Sequence, residues 1–156
     1  MKRTEKRPIL ARLAGESGSN LVEYAILFIA FMMLMFGITG FGHALYAYHF
    51  VSNVARDASR WAAVNGSTCG SDSSCNGVGG MNNGPALASD VTNYVTNHTP
   101  LGIDPSQITV TSTWIPDNTP GSTVEVQVQY NFNFIFPLIR TSALPLTSTS
   151  ETMVIH

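Results

Sequence analysis

The stretch Tyr24-Ala-Ile-Leu-Phe-Ile-Ala-Phe-Met-Met-Leu-Met-Phe-Gly-Ile-Thr-Gly-Phe-Gly42 carries no charged side chain and is interrupted only by Thr39. As a helix rising 1.5 Å per residue it extends about 30 Å, the thickness of a bilayer's hydrocarbon core. A core helix of a small domain is seldom apolar on every face for so long, so the pattern predicts a membrane span. A cleaved secretory signal shares the order of charged head and apolar run. This run is longer than a signal's usual apolar core, and the nearest A-x-A-like site, Ala86-Leu-Ala88, is far downstream. The span is therefore expected to stay in the mature protein.

Charge is divided across that stretch. Five of the eight Lys and Arg residues (Lys2, Arg3, Lys6, Arg7 and Arg12) precede it, whereas from Trp61 onward one basic residue faces six acidic ones. Basic residues are retained on the cytoplasmic side, which places the amino terminus inside and the rest of the chain outside. An acidic outer segment repels phosphate backbones, and nucleic-acid binding is excluded on that ground.

Downstream of the span, Val51, Val54, Ala58, Trp61 and Ala62 recur at helical intervals. The helix is expected to continue as an amphipathic stem to about Val64, with Asp57 and Arg60 spaced to pair on its polar side. Asn65-Gly66 supplies the stop, as residues that accept the left-handed conformation. Pro85 suits a first helical turn, and Leu87, Val91, Tyr94 and Val95 line a short second helix ending near His98. Twofold alternation then marks strands over Ile108–Trp114 and Val124–Phe134. The turn formers of Pro116–Gly121 join them as a hairpin. Pro137 breaks the second strand, and a third runs from about Leu146 to Ile155. The fold class is α+β: a long amino-terminal transmembrane helix continuing as an amphipathic stem, a short second helix and a small antiparallel sheet of about three strands.

Cys69 and Cys75 lie in a loop rich in Gly, Ser and Asn. In an exported domain two cysteines this close are expected to form a disulfide closing a small loop, contributing roughly 2 to 3 kcal/mol. Free thiols or a metal pair are the alternatives, and two cysteines without a nearby histidine make a poor zinc site. His43 and His49 flank the outer end of the span as solvated or hydrogen-bonded side chains. Neither His98 nor Asp90 has the spacing of a catalytic triad with any serine, and no nucleophile elbow, phosphate loop or metal-ligand spacing is present. No enzyme activity, cofactor, metal or small-molecule substrate is expected.

The segment Gly15-Glu-Ser-Gly18-Ser19-Asn-Leu-Val-Glu23-Tyr24-Ala sets a small residue before the membrane and one carboxylate just inside the apolar helix. A charge in hydrocarbon costs on the order of 3 kcal/mol, unless Glu23 lies at the headgroup boundary as a first-turn acid. The arrangement resembles the processing site of type IV prepilins, the tight-adherence (type IVb) branch in particular. With Phe36-Gly37, Phe41-Gly42 and the run from Val51 to Ala63, residues 15 to 63 resemble a TadE-like minor pilin or pseudopilin. In that family a prepilin peptidase cuts after a glycine, and the fifth mature residue is glutamate followed by Tyr or Phe. Carried over, the cut falls between Gly18 and Ser19, with Glu23 and Tyr24 as the assembly residues; Gly15 offers a second possible cut. Gly40 and Ala44 form a small-x-x-x-small pair that could bring helices close, or simply reflect how common glycine is in membrane helices.

The resemblance implies a basic leader over 1–18, a transmembrane helix over 19–45, a stem over 46–64 and an exported domain over 65–156. It implies a minor subunit that assembles or primes the pilus from the bacterial inner membrane. The implied partners are the prepilin peptidase, the major pilin and other minor pilins, the inner-membrane assembly platform and membrane lipid. The alternative is a permanently anchored extracytoplasmic binding module that is never polymerised.

Overall fold

A computed structural model of the protein describes residues 17–71, 85–134 and 142–155. The leader up to residue 16, Gly15 within it, Cys75 and Pro137 lie outside the described residues. The chain divides into two compact units, Met1–Phe41 and Gly42–His156.

In the first unit the structure is the opening part of helix α1, which spans Ser17–Val64. Its side chains are apolar on all sides and uncovered: Leu21, Phe28, Leu34 and Ile38 are all more than half exposed. Thr39 satisfies its hydroxyl locally by donating to the Met35 carbonyl at 2.9 Å. The helix is long and apolar enough to cross a membrane, and none of its most apolar window is buried.

In the second unit α1 changes character. Ala47, Val51, Val54, Ala55, Ala58, Ala62 and Ala63 are buried along one stripe, while Asn53, Arg56, Asp57 and Arg60 are exposed. The alanines let a sheet approach closely. Among the described residues Asp57 and Arg60 form no ion pair. The helix ends at Val64 as expected, but by another device. Neither Asn65 nor Gly66 is left-handed, since positive φ occurs among the described residues only at Gly102 and Gly121. The Asn65 side-chain amide donates to the Trp61 carbonyl at 2.8 Å, beside its backbone N–H at 3.2 Å. With that carbonyl satisfied, no left-handed turn is needed.

Helix α2 spans Ala88–Asn97 and buries Val91 and Val95. Its start differs from expectation, because Pro85 lies outside it and Leu87, the N-cap, is 61% exposed. Ala86 takes the inner place, donating to the Asn65 carbonyl at 2.8 Å and accepting from the Asn118 amide at 3.2 Å. Those two bonds turn Leu87 outward. The Asp90 carboxylate then accepts the Leu87 N–H at 2.9 Å, satisfying one orphan donor of the helix start.

Strands β1 (Ile108–Ile115), β2 (Thr123–Phe132) and β3 (Leu144–Met153) form an antiparallel meander in the order β1-β2-β3. Ile115 pairs with Thr123, and Thr123 with Met153. The central strand buries Val124, Val126, Val128, Tyr130 and Phe132 on one face, as the alternation predicts. The third strand begins and ends two residues earlier than expected. Val154 leaves the ladder to bond Gly121 and Ser122 in the hairpin turn, and the Ile155 N–H donates to the Ala63 carbonyl at 2.9 Å. In that turn Asp117 accepts from the Thr119 N–H at 3.1 Å and the Ser122 hydroxyl at 2.9 Å, and Gly121 takes φ +95°. The Thr119 hydroxyl, which also donates to it, and then the Ser122 hydroxyl and the Thr119 N–H hold the Asp117 carboxyl below its ordinary pKa. The stem and α2 pack on the sheet's inner face in a single apolar cluster.

Candidate functional site

Gly18, Ser19, Glu23 and Tyr24 lie in succession on the first turns of α1, and all four are exposed. Ser19 and Glu23 are four residues apart and share one helix face. A methyl group added at Gly18 would meet nothing within 4 Å. The first described turn of α1 contains no acidic residue, and Glu23 follows it on the same helix. The segment is linear and outward-facing. Among the described residues no side chains converge there on a reacting atom.

The other singled-out residues have local partners. His43 Nε2 donates to the Gly102 carbonyl at 3.2 Å, and its ring meets Phe132 edge-on at 5.4 Å. His98 Nδ1 donates to the Tyr94 carbonyl at 2.7 Å, while Asp90 is engaged at the start of α2. The structure thus does not bring His98 and Asp90 together as a catalytic pair. Cys69 is 4% exposed, with its sulfur 3.6 Å from the Val64 carbonyl and 3.5 Å from Asn65 Oδ1.

Periodicity alone did not reveal a shallow groove between the stem and α2, lined by Phe50, Asn53, Val54, Asp57, Tyr94 and His98. Tyr94 stacks on Trp61 with ring centroids 5.0 Å apart and lies 4.2 Å from the His98 ring. Burial, and after it the Asp57 carboxylate, raises the Tyr94 phenol above its ordinary pKa of 10.0. A raised folded-state pKa means that the folded protein favours the neutral phenol. Its contribution is complete below the unfolded pKa of about 10 and is lost as pH rises through the higher folded value. The Tyr94→Phe variant is therefore expected to lose less stability than the parent above pH of about 10. Unfolding midpoints measured across that range, with the other tyrosines common to both proteins, provide the check.

An α+β architecture with one long apolar helix at its amino end, a short second helix and a three-stranded antiparallel sheet is pilin-like. Residues 18–60 match the family model for TadE-like protein. The match begins at Gly18, includes Glu23 and Tyr24, and ends in the stem, leaving α2 and the sheet outside it. No curated protein and no solved structure matches the chain.

Proposed function

We propose that this chain is a minor pilin or pseudopilin that assembles or primes a tight-adherence, type IVb pilus. The observation that carries the reading is the first part of α1: apolar over a long run, with its large side chains exposed, and bearing Glu23 as its one carboxylate. The chain enters the inner membrane with residues 1–18 in the cytoplasm as a basic leader. Residues 19–45 span the membrane, 46–64 form the stem and 65–156 stand outside, where Cys69 and Cys75 close a disulfide loop. The prepilin peptidase cuts between Gly18 and Ser19. The new Ser19 amino group and Glu23 then lie one helical turn apart, and in a filament each can meet its counterpart on a neighbouring subunit. A buried ion pair of this kind sets register more than it adds stability. The role is structural, and the partners are the major pilin, other minor pilins and the assembly platform.

Intact mass of the protein extracted from membranes of cells with an active prepilin peptidase tests this directly. A mature chain starting at Ser19 is the expected result. An uncut chain would instead identify a permanently anchored binding module. Glu23→Ala is expected to be cut normally yet to reduce surface pili several-fold, counted by electron microscopy. Wild-type pilus numbers in that variant would remove the assembly role from Glu23.

A further inference from the structure

Between α2 and β1 the chain makes a tight turn over Pro100-Leu-Gly-Ile103, closed by the Ile103 N–H donating to the Pro100 carbonyl at 3.3 Å. Gly102 takes φ +92°, the left-handed value that the third position of a type II turn requires. The turn is held from the stem at two points. Tyr46 donates its hydroxyl to the Leu101 carbonyl at 3.4 Å, and His43 donates to that of Gly102 at 3.2 Å. Ile103 is 6% exposed within the core, whereas Leu101 is 97% exposed. The turn thus holds a leucine fully outward, and its anchored backbone keeps that side chain from folding back onto the domain.

Its location indicates what receives it. His43 and Tyr46 are among the first residues after the apolar run, and Tyr46 lies about 6 Å along the helix from Gly42. Tyrosine at that level is a preferred headgroup-layer anchor, and Leu45 and Tyr48 are also half-exposed there. No charged side chain occurs on α1 between Glu23 and Arg56, and the nearest carboxylate in sequence to Leu101 is that of exposed Asp104, just beyond the turn.

We propose that Leu101 is a second membrane contact of the exported domain, a hydrophobic tip seated in the headgroup layer of the outer leaflet while the subunit is anchored. The inference rests on the insertion of residues 19–45 proposed above, with the domain outside. Both lipid-facing and solvent-facing positions can be read with one fluorescent label. Leu101→Cys, Leu34→Cys and Thr113→Cys versions of the full chain carry an environment-sensitive nitrobenzoxadiazole group in phosphatidylethanolamine/phosphatidylglycerol liposomes, at about one chain per vesicle. The parent chain supplies the background from its own cysteines.

The label at position 101 is expected to emit to the blue of the one at 113, and to be quenched several-fold more by a headgroup nitroxide lipid than by a mid-chain one. The label at 34 should show the reverse preference. A water-like signal at 101 with a hydrocarbon signal at 34 overturns the inference and leaves the membrane anchor standing. Water-like signals at both positions overturn the anchor as well. A blue shift at 101 that develops only as chains are crowded into the vesicles assigns Leu101 to a second copy and also overturns the lipid contact.

Discussion

With Gly18 replaced by alanine, the protein recovered from membranes keeps the mass of the uncut chain even where the prepilin peptidase is active. The structure makes this substitution selective. An added Cβ meets nothing within 4 Å, and alanine is the better helix former by about 1 kcal/mol. Folding and membrane insertion are therefore expected to be unaffected, and a processing defect must arise in recognition by the peptidase. The bond between Gly18 and Ser19 lies at the beginning of the described part of α1. A protease needs extended backbone, and glycine permits that turn to unwind, whereas alanine both stiffens it and adds a methyl group beside the scissile bond. Amino-terminal sequencing distinguishes the outcomes. A mature start at Ser19 to the wild-type extent would contradict the assignment, and a start at Glu16 would move the cut to Gly15.

The Phe132→Ala substitution is expected to produce the largest loss of stability, about 3–5 kcal/mol, through lost burial and the cavity left behind. Phe132 is 1% exposed at the end of the central strand, paired with Leu144, and its ring lies 5.0 Å from Phe134 and 5.4 Å from His43. Its removal empties the junction between sheet and stem and takes away the edge contact that orients His43 toward Gly102. Denaturant unfolding of the full chain in detergent, followed by the fluorescence of Trp61 and Trp114, measures the effect. Gln127→Ala, on the exposed face of the same strand, is the control and should change stability by less than about 0.5 kcal/mol. A comparably small loss for Phe132→Ala would show that this cluster does not hold the sheet to the helix.

The places where sequence and structure part company have local causes. The strand β3 presents Ser148, Ser150 and Thr152 inward and Thr147, Thr149 and Glu151 outward, so hydropathy does not alternate along that half of it. Its polar inner face is accepted in the core because Ser59, fully buried on the stem, lies 2.9 Å from the Ser150 hydroxyl and 3.1 Å from that of Thr152, while donating to the Arg56 carbonyl at 2.9 Å. A serine in an alanine-rich helix gives no local sign of that partnership. Helical spacing with Val91, Tyr94 and Val95 predicts Leu87 on the inner face. Ala86 occupies the position because two hydrogen bonds from distant parts of the chain hold it there.

The amino-acid sequence on its own determined the apolar span, the amphipathic stem ending at Val64 and the twofold faces of β1 and β2. Each is a local period of 3.6 or 2 residues written in side-chain polarity. It also carried the order of glycine, glutamate and stem that the family match covers. Only the tertiary structure decided that β3 would pack a hydroxyl face on Ser59 and that His43 and Tyr46 would grip the turn bearing Leu101. Those outcomes depend on hydrogen bonds and ring contacts between residues far apart in the chain, and no local pattern of polarity encodes which distant partner a polar group will meet.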